Sequence, residues 1–213
     1  MVGINDILAE QQKLLEVIEA QDAKINPALE RLSANGSREQ SALFAAACAE
    51  RAVGILFWVA ANEGRQADLD FYRKALEQVW GQPVEGDRDR VSPDDVYARH
   101  DLARGPESDG GRAGGLAQTA ALALRSVLAY GQTGDFAHIR QVAAQLRNDA
   151  SGLAHRTSTD GLATVEIDRQ VSEIETILRD GATTDLAARL REQAQAVGRE
   201  WLDLAVRYYR TGH

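Results

Sequence analysis

The chain has 213 residues, of which 44% are hydrophobic and 26% charged, a balance that fits one helical domain or two small ones. Its formal net charge of -8 argues against non-specific binding to nucleic acid or to an anionic membrane, because both need clustered Lys and Arg. The single cysteine, Cys48, excludes an intrachain disulfide, and the polar opening MVGINDILAEQQ lacks a leader pattern, so we expect a cytoplasmic protein.

The first 81 residues predict three helices. Apolar residues at helical spacing predict the first over about 6–23, and Pro27 is expected to end it. The sequence SREQ, from Ser37 to Gln40, has the pattern of a capping box and predicts the start of the second helix, which continues to Gly64. A stripe of apolar residues over 67–81 predicts the third.

Residues 82–115 have a different composition, rich in Gly, Asp and Arg, with three of the four prolines of the chain. A segment of this length is too long for a plain connection in a compact domain, so we expect it to be mobile or functional. Within it, Ser92 followed by Pro93, Asp94 and Asp95 predicts the start of a short helix that extends to about Ala103. The glycines in GGRAGG, residues 110–115, predict a linker.

The remaining chain contains no proline and predicts four more helices, over about 116–130, 135–153, 166–179 and 185–210. Their connections are short, so consecutive helices should pack antiparallel. We therefore expect an all-α fold in which residues 1–213 form one domain, a single antiparallel bundle of about seven to nine helices with a mobile or partner-binding insertion at 82–115.

The stretch AACAERAVGILFWVAA, residues 46–61, is long and apolar but contains Glu50 and Arg51. Each charge at the centre of a membrane span costs about 2.5–3.5 kcal/mol, which cancels the gain from the apolar residues, so the stretch is better explained as a core helix. Gly54 lies beside both charges and leaves a dent in the helix surface. The two charges either form an ion-pair network with a later helix or mark a site at that dent.

Patterns for catalysis and metal binding are incomplete. The sequence RHD, from Arg99 to Asp101, resembles part of the HD-type hydrolase pattern, but no histidine precedes His100. Glu16 and Glu19 supply half of the four carboxylates that helical pyrophosphohydrolases use for Mg²⁺. We therefore expect no catalytic residues, no bound metal and no cofactor.

The segment FAAACAER, residues 44–51, followed by FYRKALEQVWG, residues 71–81, resembles the uncharacterised YjaG-like all-α family. It also resembles the helical immunity proteins encoded beside bacterial polymorphic toxins. The matching positions are Cys48, Glu50, Arg51, Leu76 and Trp80. The YjaG-like family implies no activity, whereas the immunity group implies binding to a toxin and its neutralisation.

Two functions from different classes follow. The first is a non-enzymatic immunity protein that binds a cognate, basic toxin, with contacts expected at Asp87, Asp89, Asp94, Asp95, Asp101 and Glu107. The alternative is an enzyme or small-ligand-binding protein that uses a pocket near Glu50, Arg51 and Gly54. A homo-oligomer formed through the last helix is a further possibility, and neither nucleic acid nor a membrane is expected as a partner.

Overall fold

The computed structural model describes residues 4–81, 90–99 and 110–210, and within these ranges it contains eight α-helices and no β-strand. The predicted all-α helical bundle is therefore confirmed, with a helix number inside the expected range. In chain order the helices are α1 (Ile4–Asn35), α2 (Arg38–Asn62), α3 (Gln66–Val79), α4 (Pro93–Arg99), α5 (Gly110–Thr133), α6 (Ala137–Thr157), α7 (Leu162–Asp180) and α8 (Thr184–Arg210).

Helix α2 is the centre of the bundle. It packs most extensively against α5 and α8, and it also contacts α3, α6 and α7. This explains why its sequence is apolar on nearly every side, since a helix that is covered all round has no solvent face to keep polar. The predicted capping box is confirmed at its start: Ser37 N donates to Gln40 Oε1 at 2.8 Å, and Gln40 N donates to Ser37 Oγ at 3.2 Å.

The first helix is longer than the sequence predicts. Pro27 was expected to end it, but α1 continues through Pro27 to Asn35. Proline has no N–H group, so Pro27 cannot donate the helical hydrogen bond to the carbonyl of Ala23. Both residues are exposed, so water can donate to this carbonyl instead. Beyond the proline, Ala28, Leu29 and Leu32 are fully or almost fully buried in the core, and this packing holds the second half of the helix in place.

The prediction for residues 82–115 is partly wrong. The short helix α4 forms where the Ser-Pro-Asp-Asp sequence predicts it and is described as far as Arg99. The glycines at 110–115 do not form a linker, because α5 begins at Gly110 and includes all of them. Helix α5 packs against α2, α4 and α6, and this tertiary contact outweighs the poor helix propensity of glycine.

Buried side chains from the eight helices form one contiguous core in the described part of the chain. Its largest fully buried members include Trp201, Tyr72, Phe44 and, unusually for a core, Arg51. A buried arginine must be paired if the bundle is to be stable. The partners of Arg51 therefore show which helices its buried charge joins to α2.

Candidate functional site

Arg51 lies on the side of α2 that faces α7, and its side chain is completely buried. Its Nη1 donates to Glu173 Oε1 at 2.6 Å, and its Nη2 donates to Glu166 Oε1 at 3.0 Å. Nη2 also lies 3.3 Å from Cys48 Sγ, one turn earlier on α2. The guanidinium is thus held between two buried carboxylates that come from the same face of α7.

The carboxylate of Glu166 has further donors. Arg169 Nη1 donates to its Oε2 at 2.8 Å, and Gln170 Nε2 donates to its Oε1 at 3.0 Å. Gln170 also donates to the backbone oxygen of Ala143 on α6, at 3.2 Å. The charges of two arginines and two carboxylates therefore balance in this network, which consists of Arg51, Arg169, Glu166, Glu173 and Gln170. The network joins α2, α6 and α7.

Burial and pairing act in opposite directions on the charged groups of this network. Burial alone would lower the pKa of Arg51, but Glu166 and Glu173 more than offset it and raise the pKa above the ordinary arginine value. For Glu173 burial is the larger effect, and its pKa is raised even though Arg51 opposes the shift. Burial likewise raises the pKa of the Cys48 thiol, so this cysteine is a poor nucleophile.

Glu50 points away from Arg51 and contacts a different pair of helices. Trp80 Nε1 donates to Glu50 Oε2 at 2.6 Å, and Gln195 Nε2 on α8 donates to Oε1 at 3.2 Å. Arg191 Nε lies 3.4 Å from Glu50 Oε2, and its guanidinium also binds Glu77 and stacks 5.5 Å from the centre of the Trp80 ring. Burial raises the pKa of Glu50, and the hydrogen bonds from Gln195 and Trp80 limit the increase.

The dent at Gly54 is occupied by the backbone of α8. A Cβ atom placed on Gly54 would lie 3.3 Å from the carbonyl oxygen of Gly198. A Cβ atom placed on Gly198 would lie 3.1 Å from the oxygen of Arg51 and 3.3 Å from that of Glu50. Two facing glycines therefore allow α2 and α8 to approach closely beside the charged pair.

These contacts favour an architectural role for Glu50 and Arg51, the ion-pair network that the sequence suggests. Three clefts in the described part of the chain are lined by residues other than Glu50, Arg51 and Gly54. One of them, a cleft of about 220 Å³ between α7 and α8, has Glu173 in its wall. Glu173 Oε2 is buried and has no hydrogen-bond partner among the described residues.

Only two of the six predicted contact residues lie in the described part of the chain. Asp94 and Asp95 are exposed in the first turn of α4, whereas Asp87, Asp89, Asp101 and Glu107 fall outside the described residues.

The carboxylate of Asp95 is engaged at the start of α4. It accepts hydrogen bonds from Ser92 N at 3.1 Å and from Ser92 Oγ at 2.7 Å, and the hydroxyl bond is the main reason that its pKa is lowered. Asp95 thus acts as part of the helix cap, and Asp94 presents its carboxylate to solvent beside it.

The outward face of α4 also carries an aromatic residue that the sequence did not single out. Tyr97 is 52% exposed, and the Arg125 guanidinium lies 5.2 Å from the centre of its ring. On the inward face, Pro93 and Val96 are buried. The end of α4 is fixed because the Tyr72 hydroxyl donates to the Arg99 backbone oxygen at 2.9 Å.

Among the described residues no group of three or more His, Cys, Asp or Glu side chains has a geometry suited to a metal ion. Helix α2 is long and apolar enough to cross a membrane, a test that core helices of soluble proteins also pass. In the structure, 78% of its most apolar window is buried by the rest of the chain.

No protein-family model matches the chain, and no curated protein or solved structure shows significant similarity to it. The relation to the YjaG-like family and to immunity proteins therefore stays a hypothesis that depends on the sequence pattern around Cys48, Glu50 and Trp80.

Proposed function

We propose that this chain is a non-enzymatic binding protein that neutralises a cognate bacterial toxin, and that the outward face of α4 contacts the toxin. The observation that carries the proposal is the combination of exposed Asp94 and half-exposed Tyr97 on a short helix whose other face is buried. An aromatic residue on a fixed element supplies contact area at little cost in entropy, and aromatic residues are enriched among those that dominate binding energy.

The charge around α4 supports a basic partner. Residues 82–109, which include α4, contain eight acidic and four basic side chains, so this segment accounts for half of the net charge of -8. Negative charge concentrated on one side of a protein increases the rate at which a positively charged partner associates. The predicted contact residues Asp87, Asp89, Asp101 and Glu107 belong to the same segment.

The alternative, an enzyme or ligand site at Glu50, Arg51 and Gly54, has less support. Both charged groups have partners from this chain, and the dent at Gly54 faces the backbone of Gly198. A reacting group in this position would have to break a buried ion pair before it could contact a substrate, which is energetically unfavourable.

The test uses the product of the gene adjacent to that of this chain as the candidate toxin. The two proteins are co-expressed, growth is measured, and the affinity of the purified pair is determined by calorimetry. Rescue of growth together with direct binding would support the proposal. A neighbouring product that does not arrest growth, or that does not bind, would refute it.

Two pairs of variants then locate the contact. Tyr97→Ala should weaken binding by about 2 kcal/mol. Val165→Ala, which truncates the other large exposed apolar residue in the described part of the chain, should have no effect. Asp94→Asn should slow association in a salt-dependent way, whereas Asp185→Asn, at the equivalent first-turn position of α8, should not. Deletion of residues 85–89 tests the adjoining acidic segment, and unchanged affinity would exclude it from the interface.

A further inference from the structure

The C-terminal ends of α6 and α8 line an open cleft of about 560 Å³ on a different part of the chain from α4. A volume of this size is in the range that small-molecule sites occupy. Its wall contains two arginines from different helices, Arg156 and Arg207. It also contains hydroxyl-bearing residues and the apolar side chain of Leu204. The described residues that line it include no carboxylate.

Arg156 has guanidinium N–H groups that no described hydrogen bond uses. Its Nη1 donates to the hydroxyl of Tyr209 at 3.0 Å, which uses one of the five N–H groups of a guanidinium. It forms no ion pair with a carboxylate among the described residues. Burial raises the pKa of the nearby Asp149 well above the ordinary aspartate value, although a hydrogen bond with Thr119 and the charge of Arg156 oppose the shift.

Basic residues at a helix end often serve only to complement the helix dipole. At the end of α6, however, groups other than Arg156 donate to the carbonyls of Leu153 and Ala154. The backbone N–H groups of Ser158 and Thr159 both donate to Ala154 O, and the Thr157 hydroxyl donates to Leu153 O at 2.8 Å. The described hydrogen bond of Arg156 goes to the Tyr209 hydroxyl and not to a carbonyl at this helix end, so other N–H groups of its guanidinium can bind an anion in the cleft.

Ser158 adds an independent sign of a site. It is the only residue other than glycine with a positive φ in the described part of the chain, at φ 51° and ψ 38°. A left-handed conformation is strained for a residue with a side chain, and a glycine at this position would avoid that strain. A serine here gives up conformational stability but places a hydroxyl group at the edge of the cleft.

We propose that the α6–α8 cleft binds a phosphate-bearing small molecule, with its phosphate between Arg156 and Arg207 and in contact with the Ser158 hydroxyl. Phosphate has several acceptor oxygens and pairs well with the planar donor groups of arginine. Leu204 and the Tyr208 ring, which packs edge-to-face 5.2 Å from the ring of Tyr209, provide an apolar surface for the rest of the ligand. The proposal is independent of the function assigned to α4.

The test is calorimetry at low ionic strength with inorganic phosphate, ATP and adenosine as probes. We expect phosphate and ATP to bind, adenosine not to bind, and added salt to weaken the interaction. Tighter binding of ATP than of phosphate would indicate a nucleotide-like ligand, whereas equal binding would indicate that the phosphate group alone is recognised. If neither phosphate nor ATP binds at concentrations up to about 10 mM, the proposal is overturned.

Matched variants separate recognition from folding. Arg156→Gln and Arg207→Gln should each weaken ATP binding by about tenfold. Arg199→Gln removes the same charge from an exposed position on α8 outside the cleft and should leave binding unchanged. Equal losses from Arg199→Gln and Arg156→Gln would show that only general charge matters, and would overturn the proposal.

Ser158→Gly gives the sharpest test, because it should move stability and affinity in opposite directions. It relieves the left-handed conformation and should leave the melting temperature equal or higher, while the loss of the hydroxyl weakens ATP binding. An unchanged affinity in this variant would contradict the assignment of Ser158 to the site.

Discussion

Replacement of Arg51 by methionine tests whether water is excluded from the charged network at the centre of the bundle, as the burial of its side chains indicates. Met has a similar length and no charge, so the main change is that Glu173 loses its only hydrogen-bond donor among the described residues. Glu166 retains Arg169 and Gln170. Removal of one partner from a buried ion pair costs about 3–5 kcal/mol, a large part of the stability of a typical domain.

The measurement is urea unfolding followed by circular dichroism, with Arg31→Met as the control. Arg31 binds Glu175 at 3.0 Å, also between an arginine and a glutamate of α7, but both side chains are 53% exposed. Loss of an exposed pair of this kind costs about 1 kcal/mol or less. The contrast between the two variants therefore isolates the effect of burial, because the chemical change is the same.

The effect of Arg51→Met should also depend on pH, with a definite sign. The pKa of Glu173 is already raised in the folded protein, and loss of Arg51 removes the group that opposes the increase. A carboxyl with a raised folded-state pKa contributes stability below its unfolded pKa and loses it as pH rises through the folded value. The variant should thus be less impaired at about pH 5 than at about pH 8, where the unpaired group must ionise.

A double-mutant cycle with Glu173→Gln completes this test. In the Arg51→Met background the glutamine avoids a buried unpaired charge, so it should restore part of the lost stability, with a coupling energy of about 1–3 kcal/mol. A cost below about 1 kcal/mol for Arg51→Met, without pH dependence or coupling, would refute the reasoning. It would mean that water hydrates these carboxylates in the folded protein.

Two further predictions concern packing and pH. Gly198→Ala should lower the free energy of unfolding in urea by about 1 kcal/mol or more, because its Cβ would lie 3.1 Å from the backbone oxygen of Arg51. Gly152→Ala has open space around the new Cβ and should raise the free energy of unfolding by about 0.5–1 kcal/mol. Equal changes in both variants would contradict close packing at Gly198. Asp149→Asn should make the melting temperature depend less on pH. The pKa of Asp149 is raised in the folded protein, so the wild-type protein loses stability as the pH rises through that folded-state pKa. An equally steep loss of stability in the variant would show that another group is responsible.

The parts of the structure that could be predicted are those that local sequence determines. The capping box at Ser37 and the helix start at Ser92 both depend on side chains within three residues of each other, and both form as expected. Predictions from Pro27 and from the glycines at 110–115 failed because each assumed that a residue with poor helix propensity ends a helix. In both places packing against the core supplies more stability than the residue removes.

The partners of Arg51 could not be identified from local patterns, since Glu166 and Glu173 lie 115 and 122 residues further along the chain. The sequence does contain a signal that was missed. Glu166, Gln170 and Glu173 follow each other at steps of four and three, which places them on one face of a helix beside an apolar stripe. A polar face of this kind on a core helix indicates a buried polar network when another core helix carries an opposite charge.

The central position of α2 has a consequence for how the protein is made. Its two most extensive partners are α5 and α8, and the second of these ends at Arg210, about 150 residues after α2 is complete. At a synthesis rate of about 5–20 residues per second, the ribosome needs roughly 7–30 s to supply that partner. During this interval a highly apolar helix is only partly covered, so the nascent chain should depend on chaperones until α8 emerges.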